Sequence, residues 1–335
     1  MFGDIVTQQI MKYKYLGDIL DGEGLAASID SSIEERLPKI KTAMFECKTL
    51  MEDYRMQAIG GTSGALDLWN AVIIPTILFN SSTWTELRKK TIAKLEDLQL
   101  SHLRLILAMP AVGTPKAALL AETGILSMDH RVLLEKLNFD VTLKAREDTL
   151  SGKIYKIQSH MEWPGLARED TDICKMVGLD NINTTEVTKA EVKKAVWDSH
   201  IKRVKEELLK LSKVRYMVDN DLGKPAKYLH EMSLVEARVM FRVRSNMMWL
   251  KDEMRNKYRG DLTCEACDEG CDEDQDHVRV CKGYSYIRTN MYLGNNTSQI
   301  FPACTIIETG TELNVIILIT YSIFLRRVED AWCLT

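Results

Sequence analysis

Apolar residues recur at three- and four-residue spacing through most of the first 150 positions, the period of helices packed by one face. From Leu25 the pattern runs through Ile29, Ile33 and Leu37, then Ile40, Ala43, Met44, Cys47, Met51 and Tyr54. Pro38 interrupts it and predicts two helices, with the proline in the first turn of the second. Gly60-Gly61-Thr62-Ser63-Gly64 predicts a break. Leu66 to Leu78 is densely apolar and predicts a buried helix that kinks or stops near Ile74, ahead of Pro75. Ile92, Leu95, Gln99, Leu103 and Ile106 mark the next helix, ended by Met109-Pro110. Thr114-Pro115 reads as an N-cap followed by a first-turn proline. Gly124 closes that helix, and another runs from about Asp129 to Ala145. Ahead of them all, Tyr13 to Leu20 mixes aromatic and β-branched residues and ends in Asp21-Gly22-Glu23-Gly24, which predicts one arm of a hairpin. Gly22 and Gly24 lack the third glycine and the Lys-Ser/Thr of a phosphate loop.

The pattern changes after residue 150. Ser159 to Asn183 holds Pro164-Gly165 among polar residues and reads as a linker. Glu186 to Tyr216 predicts a long amphipathic helix with Trp197, Ile201, Val204, Leu208 and Leu211 as its seam. Another helix is expected from Leu234 to Lys257, where Val235, Val239, Met247, Leu250 and Met254 alternate with Arg238, Arg242, Arg244 and Arg255. Leu313 to Leu325 is apolar for thirteen residues with polar interruptions, short of the roughly 20 that span a bilayer, so no membrane role is expected. His102, beside an apolar stripe, reads as a packed core histidine rather than a catalyst.

Composition adds two things. At 335 residues, 45% hydrophobic and 27% charged, the chain is an ordinary folded protein of two or three units. Its net charge of -4 conceals an uneven distribution. Lys189 to Arg215 carries nine basic residues against four acids, and Arg238 to Arg259 seven against two. Asp261 to Asp276 then has eight acids and no base. The basic segments predict a nucleic-acid surface, with Lys193, Lys194, Lys202, Arg203, Arg238, Arg242 and Arg244 as candidates. For each of them a solvated helix face is the plain alternative. Four of the eight cysteines fall between Cys264 and Cys281. That clustering, with no signal-peptide pattern at Met1 to Ile5, predicts a reduced, intracellular chain, nuclear or cytoplasmic and not secreted.

The clustered cysteines form the one candidate site. Cys264-Glu-Ala-Cys267 is followed by nine residues and then His277-Val-Arg-Val-Cys281. A Cys-x2-Cys turn brings two sulfurs together, and a helical segment there puts His277 and Cys281 on one face. Three thiolates and an imidazole suit a closed structural zinc site. Ordinary buried or free thiols are the alternative, and Cys271 is a possible substitute ligand. The surrounding acids do not follow the EF-hand order. They also oppose phosphate binding at the knuckle itself, which suits a structural clip or a protein contact.

Several stretches together resemble a known family. Lys14-Tyr15-Leu16-Gly17 comes first, then Leu68-Trp69-Asn70-Ala71-Val72-Ile73-Ile74-Pro75-Thr76-Ile77-Leu78-Phe79, Trp84, Leu95-Glu96, Gln99, Leu103-Arg104 and Ile106-Leu107. Thr114-Pro115, Leu119, Glu122-Thr123-Gly124-Ile125-Leu126 and Lys136-Leu137-Asn138-Phe139 follow. With the knuckle, this order resembles the C-terminal half of non-LTR, LINE-type retrotransposon reverse transcriptases. The resemblance implies that Tyr15, Leu16 and Gly17 lie in a primer-grip-like strand, and that the helices after them form a thumb and a helical linker. It implies an RNA template or RNA/DNA duplex as partner, together with the rest of such an enzyme. Polymerisation in that family needs adjacent aspartates holding two metal ions, and no Asp-Asp pair occurs in this chain. Tyr216-Met-Val-Asp219-Asn-Asp221 imitates the motif poorly, and the family's endonuclease is also missing.

The expectation is therefore a mostly α protein: a helical thumb-like bundle after a short β-hairpin, then a helical linker and a small CCHC zinc knuckle. The boundaries are 1–24 for the end of a palm-like hairpin, 25–150 for the thumb-like domain and 151–183 for a linker. A basic helical domain follows at 184–260, the knuckle at 261–290 and a poorly patterned tail at 291–335. The expected role is a non-catalytic part of a reverse transcriptase that binds nucleic acid, with structural Zn2+. Mg2+ enters only with the missing catalytic part. The alternative is a helical protein-interaction module left from a degenerate retroelement.

Overall fold

The computed structural model describes residues 11–15, 17–52, 60–85, 87–110, 113–160, 173–175, 177–179, 187–245, 247, 261–274, 277 and 280–285. Among them the chain is mostly helical, with one two-stranded antiparallel hairpin near the N-terminus. Strand β1 (Lys12–Tyr15) pairs with β2 (Asp18–Asp21). Then come α1 (Leu25–Glu52), α2 (Gly61–Leu68), α3 (Ile74–Ile77), α4 (Lys89–Ile106) and α5 (Lys116–Thr123). They are followed by α6 (Met128–Lys144), α7 (Leu150–His160), α8 (Lys189–Leu209), α9 (Tyr228–Glu231) and α10 (Leu234–Arg244). The described residues fall into two compact units, each discontinuous in sequence. Those within Met1–Leu50, Leu66–Leu103 and Gly124–Glu207 form the first, and those within Met51–Ala65, Arg104–Thr123 and Leu208–Thr335 the second. This division does not follow the expected boundaries at 150 and 183, because residues from both sides of them share a core.

In the first unit, the stretch expected as one strand is a whole hairpin. Tyr15 stands opposite Asp18 and Gly17 has φ 91, so the chain reverses at the Tyr15-to-Asp18 step. Helix α1 covers the outer edge of β2 with serines. Ile19 N–H donates to Ser32 Oγ at 2.7 Å and Asp21 N–H to Ser28 Oγ at 2.8 Å. Two residues along a strand and four along a helix both span about 6–7 Å, so the two ladders stay in step. The edge is thus closed to further strands. Arg36, on the same helix, is buried and clamps the turn. It donates to Gly17 O at 3.1 Å and Phe79 O at 3.0 Å, pairs with Asp18, and lies over the Phe79 ring.

Pro38 does not split α1, which is continuous. Pro38 and Glu34, whose carbonyl the proline deprives of its partner, are both exposed. Water can replace the lost bond there. The break at 60–64 shrinks to Gly60, at φ 81, since Gly61 already opens α2. The kink expected near Ile74 is a π-helical turn over Trp69–Ile73, in which Ile74 N–H donates to Trp69 O. Widening the turn moves the preceding carbonyls away from the Pro75 ring.

The described residues of the expected linker are packed. Ile173, Cys174, Val177 and Leu179 join Leu137 of α6 and Val192 and Val196 of α8 in one buried cluster. Helix α7, not foreseen, docks on α6 through Tyr155, whose hydroxyl donates to Asp140. Helix α8 is shorter than expected. It starts at a Thr188–Glu191 cap and gives way to a 3-10 segment over Ser212–Asp219. Its buried positions are Val192, Val196, His200, Val204 and Leu208, so the seam lies one residue round from Trp197 and Ile201. In the second unit, α10 begins at a Ser233–Glu236 capping box and ends at Arg244. The rest of the helix expected to Lys257, apart from Ser245 and Met247, lies outside the described residues, as does the 291–335 tail. Thr114 does not cap α5; its hydroxyl donates to Pro110 O at 3.0 Å.

His102 is fully buried and stacked on Trp69, centroids 4.4 Å apart. Burial lowers its pKa from 6.5 to about 4, so the folded protein holds it neutral. The unfolded chain takes up a proton first as pH falls, and stability drops from about pH 6.5 towards pH 4. Phe at this position keeps the stack and removes the titration. His102→Phe is expected to flatten the fall of the urea midpoint between pH 6.5 and 4, by up to about 3 kcal/mol at the acid end. An unchanged pH profile would exclude this account.

Candidate metal centre and basic surface

Residues 261–274 fold back on themselves. Thr263 and Asp272 form an antiparallel bridge, flanked by Cys264 N–H to Cys271 O at 2.9 Å and Glu273 N–H to Leu262 O at 2.7 Å. Within the loop, Ala266 N–H donates to Cys264 Sγ at 3.4 Å, which turns that sulfur inward. Asp274 Oδ1 then accepts from His277 N–H at 2.7 Å, and Cys281 N–H donates to His277 O at 2.7 Å. One capped helical turn therefore stacks His277 over Cys281.

The ligand atoms of Cys264, Cys267, His277 and Cys281 all lie within 4.8 Å of one another. Cys264 Sγ is 3.8 Å from Cys281 Sγ, and Cys267 Sγ is 3.3 Å from His277 Nε2. Around a tetrahedral zinc, sulfurs at about 2.3 Å and a nitrogen at about 2.0 Å stand roughly 3.8 and 3.6 Å apart. The donor set fits such an ion. Burial pushes the Cys264 thiol up to about 12, and the neighbouring Cys281 and Cys267 sulfurs add to the rise. Gathering three thiolates is thus unfavourable until a divalent cation neutralises them. The zinc ligands expected from the sequence are the ones brought together. Cys271 is not in this set. It is exposed, its Sγ donates to Glu269 O at 3.8 Å, and it groups instead with Glu269 and His277.

Three residues that support the cluster were missed in the sequence. Asp274 caps the ligand helix, a role its position three residues before His277 made legible. Lys282 pairs with Glu269 at 2.8 Å. Gly283 lies against the knuckle backbone, where an added Cβ would meet Ala266 O at 1.7 Å. Glu265, Asp268, Glu269 and Asp272 face solvent around the site; Asp276 lies outside the described residues.

No family model, curated protein or solved structure matches this chain. What the site does must be argued from its own groups.

The expected basic surface divides in two. Lys193, Lys194 and Lys202 are exposed on α8. The four arginines are engaged inside their own units, which corrects the reading of them as free phosphate contacts. Arg203 pairs with both Asp129 oxygens, one at 2.9 Å, and donates to Ser127. Burial acts to raise the Asp129 pKa, but its bonds from Arg203, His130 and Ser127 win and hold the carboxyl well below the usual range. Arg238 donates to Ile106 O at 2.8 Å and Arg242 to Ala108 O, carbonyls that the end of α4 leaves unpaired. Arg244 grips the fully buried Glu122 at 2.8–3.1 Å, near the rings of Tyr216 and Tyr228. A helix side chain that cannot reach water turns to the nearest carbonyl or carboxylate. Tyr15, of the primer-grip-like set, is exposed, Gly17 sits in the turn, and Leu16 lies outside the described residues.

Gly283→Ala forces the knuckle backbone apart while leaving every ligand in place. It is expected to weaken zinc binding at least tenfold in a chelator competition, with little change in far-ultraviolet circular dichroism. Wild-type zinc affinity in this variant would show that Gly283 does not brace the site.

Proposed function

We propose that the chain is a helical nucleic-acid-contacting module of the reverse-transcriptase kind, clipped by a structural zinc knuckle and without polymerase chemistry of its own. The observation that carries this reading is the convergence of Cys264, Cys267, His277 and Cys281 within 4.8 Å. Their spacing also closes the run of motifs from Lys14 onward. In this reading Zn2+ supplies folding free energy rather than catalysis, because all four positions around it are taken by protein. The hairpin and the helices after it then correspond to a primer-grip-like turn and a thumb. The absence of an adjacent Asp pair from the sequence leaves nothing of the family's kind to hold the two ions of polymerisation.

Nucleic-acid contact in this reading falls to Lys193, Lys194 and Lys202. Binding of a primed RNA template should be salt-dependent, and replacing all three lysines by alanine should reduce the slope of log K against log salt by up to about three. The zinc clause is tested separately, by metal analysis of protein purified under reducing conditions: one zinc per chain is expected, and none would exclude it.

A second reading, a protein-interaction module, is favoured by the exposure of Met11, Tyr13, Tyr15 and Leu20 on the hairpin. Apolar surface gathered there suits a protein partner. Zinc-loaded protein that binds no RNA at low salt would decide for it.

A further inference from the structure

Five thiol or imidazole groups crowd the knuckle, and four suffice for a closed site. Cys264 and Cys281 are buried and Cys267 half-buried, whereas Cys271 is exposed. Its backbone is tied to a ligand. The Thr263–Asp272 bridge and the bond from Cys264 N–H to Cys271 O at 2.9 Å put Cys264 and Cys271 directly opposite in the ladder. Directly opposed residues of an antiparallel ladder have Cα atoms about 4.5–5.5 Å apart, within the roughly 4.4–6.8 Å that disulfides span. The Cys271 sulfur now faces Glu269 O and belongs to a second cluster that shares His277. Rotation about the Cys271 Cα–Cβ bond is the movement that would carry its sulfur from Glu269 O towards Cys264.

We propose that Cys271 is the oxidation site of the knuckle and Cys264 its resolving partner, so that peroxide converts the zinc clip into a disulfide. The inference rests on the zinc reading above. The Cys271 thiolate attacks one peroxide oxygen; the S–O bond forms, the O–O bond breaks, and hydroxide leaves as water after taking a proton. Cys264 sulfur then attacks the Cys271 sulfur. The S–S bond forms, the S–O bond breaks, and the departing hydroxide takes a proton from solvent to leave as a second water. One thiol and one zinc-bound thiolate have together lost two electrons to one peroxide, with one proton drawn from solvent. Cys264 no longer offers a thiolate, the ion keeps only three protein ligands, and a chelator competes for it more readily.

The test treats the zinc-loaded full chain with hydrogen peroxide while a chromogenic chelator reports released zinc. Glu-C cleavage then separates the candidates, because Glu265 lies between Cys264 and Cys267 and Glu269 between Cys267 and Cys271. Zinc release with a Cys264–Cys271 linked peptide is expected, reversed by phosphine reduction and re-addition of zinc. Cys271→Ser, which leaves all four ligands, should bind zinc normally and release it several-fold more slowly. Equal release rates in this variant, or a Cys264–Cys267 or Cys267–Cys281 linkage in the wild type, would overturn the proposal. If the reduced chain carries no zinc, the zinc reading fails by itself. The peptide map of the peroxide-treated, metal-free chain then still shows whether Cys264 and Cys271 pair.

Discussion

A guanidinium taken out of water must find oxygen atoms, and that demand organises both units. Arg36 ties the hairpin turn to α1 and to the end of α3 through Gly17 O, Asp18 and Phe79 O. Arg203 ties α8 to the start of α6 through Asp129. Arg244 ties α10 to α5 through Glu122, and Arg238 and Arg242 close the end of α4. Each is a charge whose removal from water is compensated only if several donors are used at once. Losing one partner strands the other, which is why these contacts hold elements in register more than they add net stability.

That same demand reshapes the electrostatics. A count of basic residues treats every arginine as available to phosphate, yet in this protein the arginines of α8 and α10 are spent on internal acceptors. Lysine behaves differently because its long stem carries the ammonium back to solvent. The positive surface of α8 is therefore a lysine surface, broken by exposed Glu191, Asp198 and Glu206. Fields of that kind fade beyond about 10 Å at moderate salt.

Periodicity made most of the fold legible. It placed α6 within a residue, because that helix buries a stripe, while Thr114-Pro115 and Gly124 marked the bounds of α5, which is buried on every side. It failed where a local signal was read without its surroundings. Pro38 looked like a break, but an exposed proline leaves its orphaned carbonyl to water. Tyr13 to Leu20 looked like one strand, but the positive φ of Gly17 turns it into two. Ile173 to Leu179 looked like linker because its neighbours are polar, although four apolar side chains suffice to pin it beneath α6 and α8. The metal ligands were legible for the opposite reason: a Cys-x2-Cys turn and an i, i+4 pair encode local geometry without any help from the core.

The knuckle and the helical units thus solve one problem by opposite means. In the helical units buried cations are neutralised by carbonyls and carboxylates. In the knuckle, three cysteines and a histidine converge where a cation could be held, and as thiolates the cysteines would need one to neutralise them. A zinc held by three thiolates and one imidazole would carry a net charge of about minus one, so with its exposed acids the knuckle presents a negative surface, whereas the exposed lysines of α8 present a positive one.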